Sequence, residues 1–291
     1  MNVALRLARR RFKGISWRNP IIHLILHALD PFDNLVRRRG DLSYLPVYST
    51  RVRSNGIQGQ FGGRRFAYVG NSIAQLLQEQ AQLAPTSQVL EVGCGCGRIA
   101  LALTRILGDG QYTGVDIDAV SIEACRMNDR LSSKQFRFDL LDVRNLAYNP
   151  DGHVVDANYT FSYPTGYFDV IFLISVFTHM LPEGVTNYIN EFGRMLKPGG
   201  RCFFSTFLMD YGHEGRDISF PYAYDDYRVL QKDLREKAVG YYLSFFDMRF
   251  AAQRMKRIRE PLIGLWRKTT AVRITQPFDF RQDILIYSKL Y

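Results

Sequence analysis

The sequence predicts an α/β protein: a doubly wound, largely parallel sheet with helices on both faces. Three observations predict it. From about residue 65, short apolar runs alternate with segments of helical period; strands separated by helices imply crossovers and parallel pairing. Glycines at every second position follow the first of those strands, where a nucleotide-type site lies in such sheets. Phe168–Ser175 (FDVIFLIS) is almost wholly apolar, as expected for a strand covered on both faces.

Taken in order, Gln88–Val92 (QVLEV) is the first strand. Ile99, Ala102, Leu103, Ile106 and Leu107 mark one stripe of a helix over Arg98–Leu107. Tyr112–Val115 is a strand, Ala119–Leu131 a helix, Gln135–Leu141 the third strand and Phe168–Ser175 the fourth. Val185, Tyr188, Ile189, Phe192 and Leu196 give the next helix, which Lys197-Pro198-Gly199-Gly200 stops. Cys202–Phe207 is the fifth strand and Asp283–Lys289 (DILIYSK) another near the end; Gly264-Leu265-Trp266 falls in the region of a sixth.

The 291 residues suffice to bury a sizeable core. No apolar stretch approaches the ~18–20 residues of a membrane-spanning helix; Ile21–Leu29, the best candidate, carries His23 and His27. No secretory signal is expected at the N-terminus. The net charge of +10 is uneven: residues 1–40 hold nine Lys/Arg against Asp30 and Asp33, leaving only +3 on the rest. A basic arm on a nearly neutral body argues against a nucleic-acid track. Cys94, Cys96, Cys125 and Cys202 are too few and scattered for a disulfide framework. Cys94 and Cys96 lack zinc-ligand spacing, so free thiols in a reducing compartment are expected. The chain divides into a basic helical extension, 1–60, and a main domain, 61–291, with an aromatic-rich insertion at about 210–240.

The first strand runs into Glu91-Val92-Gly93-Cys94-Gly95-Cys96-Gly97-Arg98. Such glycines let the backbone turn sharply and approach a ligand closely. Asp116 and Asp118 end the second strand, and a carboxylate there can accept ribose hydroxyls. Read from Gly95, the run also fits the dinucleotide pattern G-x-G-x-x-A. Glu91 separates the readings: its carboxylate can hold the loop or a ligand ammonium group, and it would repel a pyrophosphate.

VLEVGCGCGR resembles motif I of class I S-adenosylmethionine-dependent methyltransferases, (D/E)-x-G-x-G-x-G. The resemblance runs through residues 65–289. Asp116 in YTGVDID matches the ribose-binding acid and Asp142 in FDLLDV the third-strand carboxylate that contacts adenine. FDVIFLISVFTHM resembles the fourth strand and its following loop, LKPGG the turn before strand five, and QDILIYSK the final strand. The resemblance implies a Rossmann-like seven-stranded sheet in the order 3-2-1-4-5-7-6, strand 7 antiparallel. It implies S-adenosylmethionine as cofactor, held by Glu91, Gly93, Cys94, Gly95, Gly97, Asp116, Ile117, Asp142, Val143 and Ser175. It also implies methyl transfer by in-line displacement.

His179 follows strand four, where that fold brings donor and acceptor together. Its imidazole can take the acceptor's proton; alternatively it caps the next helix or shapes the pocket. Asp210, His213 and Glu214 form either a divalent-metal cluster or a solvated loop, and no metal is expected. The aromatics of 210–250 either line an acceptor pocket or pack an added helix pair. The loop after strand four reads Ile174-Ser175-Val176-Phe177, without the Asn/Asp-Pro-Pro-Tyr/Phe tetrapeptide of base-modifying amino methyltransferases. Asn149–Tyr167, with His153 and Tyr163-Pro164, is too long for a tight turn; it is expected beside the cofactor site and carries no assigned role. Residues 3–17, with five basic side chains and no acidic one, can dock on an anionic membrane surface or a partner, or pack on the domain. The sequence therefore predicts a cytoplasmic methyltransferase for a small molecule or glycoconjugate, acting at oxygen, with peripheral membrane association through 1–40. The alternatives are a protein or RNA methyltransferase docking through the arm, a nicotinamide dehydrogenase, and a cofactor-binding fold without catalysis.

Overall fold

A computed structural model describes residues 20–146, 148–215, 218–232, 238–267, 278 and 280–291. The basic segment 3–17 lies outside them. The chain forms two compact units, Met1–Tyr68 and Val69–Tyr291.

In the first unit, helix α1 (Pro20–Arg39) pairs with α2 (Tyr48–Asn55). Leu26, Tyr48 and Val52 make the small core, with Ile22 and Leu29 against it. Beside it lies a buried charge cluster. Asp33 accepts from Arg37 Nε (2.8 Å), Arg51 Nη2 (2.7 Å) and Gly62 N (2.8 Å), and all three side chains are buried. Arg37 and Arg51 also donate to the carbonyls of Leu45 and Gln60, so the charges are paired and hydrogen-bonded, as burial requires. Helix α3 (Arg64–Ala81) follows.

The second unit carries β1 (Gln88–Val92), β2 (Gln111–Asp116), β3 (Phe136–Leu140), β4 (Phe168–Leu173), β5 (Leu196–Thr206), β9 (Met255–Arg257) and β10 (Asp283–Lys289) in one sheet, ordered β3-β2-β1-β4-β5-β10-β9. This is the seven-stranded order expected from the resemblance. The first five strands pair in parallel; β10 is antiparallel to both β5 and β9. Helices α4 (Ala100–Leu103), α5 (Ala119–Arg126), α6 (Pro182–Met195) and α7 (Leu243–Ala252) complete the unit with a second sheet of β6 (Tyr222–Ala223), β7 (Tyr227–Val229) and β8 (Val239–Tyr241). β4 is buried at five of its six positions, which accounts for its apolar composition.

Several elements differ from the sequence expectation. The helix expected over 98–107 is regular only at Ala100–Leu103. After it, Arg105 and Ile106 donate three residues back rather than four, tightening the coil into turns. The helix expected over 119–131 ends at Arg126. Asn128 then caps a separate short turn, its side chain accepting from Arg130 N. β5 begins at Leu196, six residues before the expected start, and takes in the LKPGG segment. Pro198 forces its predecessor into extended backbone, so Leu196 leaves the helix and joins the strand. Phe168 pairs with Leu196 and Val170 with Arg201; the extra residues form a bulge in which Gly199 takes φ 78°. The sixth strand of this sheet in chain order, which forms its edge, is Met255–Arg257, not Gly264–Trp266.

The aromatic section is divided between two roles. Phe245, Phe246 and Phe250 on α7 are fully buried; Phe246 and Phe250 pack on Phe204 of the sheet, Phe250 also on Tyr287, and Phe245 packs on Tyr241. Tyr241 is buried too, its hydroxyl donating to Met180 O at 2.7 Å. Tyr222 and Tyr224 are exposed, on and beside the small sheet that fills the expected insertion. The stretch 149–167 acts as a strap. Val154 bridges Val143, Arg194 of α6 donates to the carbonyls of Phe161 and Tyr163, and Tyr163 Oη donates to Asp139 at 2.8 Å.

Candidate active site

The carboxyl ends of β1, β2, β3 and β4 converge on one sheet edge, and every sequence-predicted cofactor residue lies there. The first turn is fixed by its own backbone. Gly93 N and Cys94 N both donate to Val115 O (2.8 and 3.0 Å), tying the end of β1 to β2. Gly93, Gly95 and Gly97 have φ of 77°, 52° and 82°, the left-handed region that favours glycine. A Cβ on Gly93 would stand 2.4 Å from Val176 Cγ2, so the turn after β1 closely approaches the turn after β4.

Asp116 anchors the loop from the side. Its Oδ2 accepts from Gly95 N at 2.7 Å and its Oδ1 from Asp118 N at 2.9 Å. Each oxygen keeps a second lone pair for a ligand hydroxyl. Burial pushes the Asp116 carboxyl above its ordinary range, opposed by those backbone donors. Asp118 lies beyond the strand as the cap residue of α5, buried and accepting from Ser121 Oγ at 2.6 Å. Ile117, half-buried between the two acids, packs against the main core.

Glu91 sits beneath the loop. It is buried and accepts the Tyr112 hydroxyl at 2.5 Å. Burial raises its carboxyl to about 8, against the lowering effects of the Tyr112 hydrogen bond and Arg98. At neutral pH it is therefore mostly protonated, and its observed partner is the adjacent strand's tyrosine. Cys94 Sγ and Cys125 Sγ both point to Gly95 O, at 3.6 and 3.3 Å. All four cysteines are free and buried, and burial holds the Cys94 thiol protonated.

At the end of β3, Asp142 is exposed and accepts from the backbone N–H and the ring Nδ1 of His153 (3.0 and 2.9 Å to the nearer oxygens). The His153 backbone donor, then its ring, lowers the Asp142 carboxyl. Val143 is buried and bridges Val154. His153 thus partners a predicted adenine-side residue, within the stretch expected beside the cofactor site; its pairing with Asp142 is seen only in the fold.

After β4, Ser175 has φ 63°, a strained conformation for a non-glycine residue that clusters at functional sites. A ring of hydrogen bonds holds it. Ser175 N donates to Ser205 Oγ (2.8 Å), Ser205 Oγ to Gln282 Oε1 (2.6 Å), and Gln282 Nε2 to Ser175 Oγ (2.8 Å). Ser205 and Gln282 come from β5 and the residue before β10, so the ring spans three strands; neither carried a sequence signal. His179 closes a short 3-10 turn, Phe177–His179, and is exposed while Phe177, Thr178 and Met180 around it are buried.

Beyond β5, Asp283 is buried among Arg267 (both Nη at 2.7 Å), Trp266 Nε1 (3.0 Å) and the backbone N–H groups of Leu208 and Gly264. This cluster gives Trp266 its structural role. Asp210 accepts from Leu243 N at 2.7 Å, and His213 and Glu214 are exposed. Among the described residues no three His, Cys, Asp or Glu side chains gather as a metal site. A separate open cleft, lined by Pro182, Glu183, Asn187, Asn190 and Arg249, contains none of the predicted site residues.

The edge fits a nucleoside bearing an amino-acid tail: left-handed glycines for close approach, Asp116 for hydroxyls, and Asp142 farther along the rim. Comparison with known proteins agrees. The family described as "Methyltransferase domain" matches residues 62–276. A phthiotriol/phenolphthiotriol dimycocerosates methyltransferase of Mycobacterium tuberculosis is 32% identical over 113 residues, 39% of this chain and 35% of that protein. A human tRNA N(3)-cytidine methyltransferase is 31% identical over 130 residues (44% and 30%). A ubiquinone biosynthesis O-methyltransferase of Nitrosococcus oceani is 28% identical over 133 residues (45% and 48%). The chain thus spans about a third to a half of the length of these relatives. The PH0226 protein of Pyrococcus horikoshii shares the fold, with a TM-score of 0.55 at 16% identity over 82% of this chain and 95% of that one. With this sheet order, this glycine edge and a family match over most of its length, the chain belongs to the class I S-adenosylmethionine-dependent methyltransferases.

Proposed function

We propose that this protein methylates an oxygen of a small molecule or glycoconjugate. The observation that carries the reading is the placement of His179, an exposed imidazole one short turn past β4, on the sheet edge that holds the glycine loop and Asp116. S-adenosylmethionine, when bound, supplies an electrophilic methyl carbon on a sulfonium. The chain's residues do the rest. The glycine loop and Asp116 fix the nucleoside, and Ser175, held by Ser205 and Gln282, shapes the wall beside the acceptor. His179 accepts the hydroxyl proton as the new O–C bond forms and the S–C bond breaks. Alignment in such a site can supply roughly 7–11 kcal/mol of the barrier, and a positioned base about 10²–10⁴-fold in rate.

The Nitrosococcus relative's name supports an oxygen acceptor. Against a nucleic-acid base stand the Ile174-Ser175-Val176-Phe177 loop and the +3 charge outside residues 1–40. The human relative favours a second reading, methylation of RNA docked through the basic N-terminal residues. The two part in one experiment. The protein is incubated with methyl-labelled S-adenosylmethionine and a cell extract, which is then split into small-molecule, RNA and protein fractions. Label in an extractable metabolite supports the first reading; label confined to RNA or protein replaces it.

A further inference from the structure

Helix α1 has a broad apolar surface, and the described residues cover only part of it. Ile22, Leu26 and Leu29 pack toward α2, with Asp33 and Arg37 buried along the same side. On the adjoining side, Leu24 is 71% exposed, Phe32 65%, Leu35 54%, Ile25 53% and Val36 43%. At 3.6 residues per turn these five fall within about 120° of one another, a stripe roughly 18 Å long. A stripe of that width is what a helix normally buries, whereas isolated exposed apolar residues need no explanation.

The charges flanking the stripe are predominantly basic, with Asp41 the one exposed acid just after the helix among the described residues. Residues 1–19, immediately before the helix, contain Arg6, Arg9, Arg10, Arg11, Lys13, Arg18 and no acidic residue. Arg38 and Arg39 follow the stripe and are exposed. The helix's two acids are turned inward: Asp30 accepts from Ser49 N and Oγ (2.8 and 2.7 Å), and Asp33 is enclosed by Arg37 and Arg51. Among the described residues, no helix is long and apolar enough to cross a membrane.

We infer that α1 is a lipid-docking element, whose Leu24–Val36 stripe lies flat in the interface of an anionic bilayer while the exposed Arg38 and Arg39 meet the headgroups and the basic sequence that precedes the helix adds to the attraction. Apolar residues on one face and basic residues around them are the two components of interfacial binding. A second copy of the chain is the poorer occupant. Both ends of the stripe are basic, so parallel and antiparallel pairing alike set positive charge against positive charge. The inference is independent of the acceptor proposed above, because docking is read without turnover.

The test is co-sedimentation of the full chain with vesicles of phosphatidylcholine alone and of equal parts phosphatidylcholine and phosphatidylglycerol. The wild type should bind the mixed vesicles, weakly or not at all those without phosphatidylglycerol, and less as salt is raised. Leu24→Ser combined with Leu35→Ser should weaken binding about tenfold or more, and Arg38→Gln with Arg39→Gln by a smaller factor. Melting temperature and S-adenosylhomocysteine affinity should stay as in the wild type, since these side chains are exposed. Should the double serine variant fold poorly, Phe32→Ala supplies the same comparison. Three results overturn the inference: a wild type that ignores the mixed vesicles, apolar-stripe variants that bind like the wild type, or a wild-type dimer that these variants turn monomeric.

Discussion

Asp116 is the residue on which the cofactor edge turns. It holds the glycine loop through Gly95 N and the entry to α5 through Asp118 N, so Asp116→Ala removes a ligand partner and a loop anchor together. Affinity for S-adenosylmethionine should fall by about 1.5–3 kcal/mol, the scale of a charge-assisted hydrogen bond, as read by calorimetry. Glu91 behaves differently. Its carboxyl titrates near 8 in the folded state and near 4.3 in an unfolded chain. Between those values the folded state binds more protons, so its contribution to stability is fully present below about pH 4 and is lost as pH rises toward 8. Denaturation measured from pH 5 to 8 should show a decline that Glu91→Gln flattens, the amide standing in for the protonated acid beside Tyr112; an unchanged slope would remove Glu91 as its source. For His179, substitution by Ala should lower turnover by roughly 10²–10⁴-fold with cofactor affinity within a few fold. His179→Gln should not rescue it, since an amide takes no proton at neutral pH. Wild-type kcat should rise with pH through one ionisation that both variants lack. If both keep most of their activity, His179 is a pocket wall. The sequence pointed to Asp116 and the glycines because motif spacing encodes backbone geometry. It did not point to Ser205 or Gln282, and it placed His153 beside the site without its partner Asp142; these partners lie 30, 107 and 11 positions away and are joined only by the fold.

Among the elements, β4 and β10 were legible from composition: one is buried on both faces, and the other keeps the expected bounds Asp283–Lys289. The start of β5 was not. The proline and glycines that end a helix also built a bulge inside a strand, and local sequence does not separate those outcomes. The buried aromatics of α7 and the exposed tyrosines of the small sheet likewise look alike in sequence, because burial depends on which face meets the core. The α1–α2 pair carries a prediction of its own. Asp33 pairs with two buried arginines at once, and removing one partner of a buried pair costs about 3–5 kcal/mol. Asp33→Asn should therefore speed hydrogen exchange through α1 and α2. Cofactor affinity should persist, since every predicted cofactor residue lies in the other unit. A variant exchanging like the wild type would show that the cluster contributes little. The same cluster makes residue 40 a poor truncation point: a cut there leaves Arg51 buried without its carboxylate.

At the scale of the whole molecule, a conserved sheet order brings four strand ends to one edge, and local chemistry there decides the ligand. The glycine turn alone also fitted a dinucleotide. What separates the two readings is Asp116 at its side, Asp142 at the rim and the family match over residues 62–276; Glu91, buried, largely protonated and bonded to Tyr112, does not supply the charge expected to repel a pyrophosphate. Calorimetric titration of the full chain with S-adenosylmethionine, with NADH in a parallel cell, tests that reading most directly. The account predicts saturable one-site binding of S-adenosylmethionine and no heat from NADH. Binding of NADH without binding of S-adenosylmethionine would contradict it.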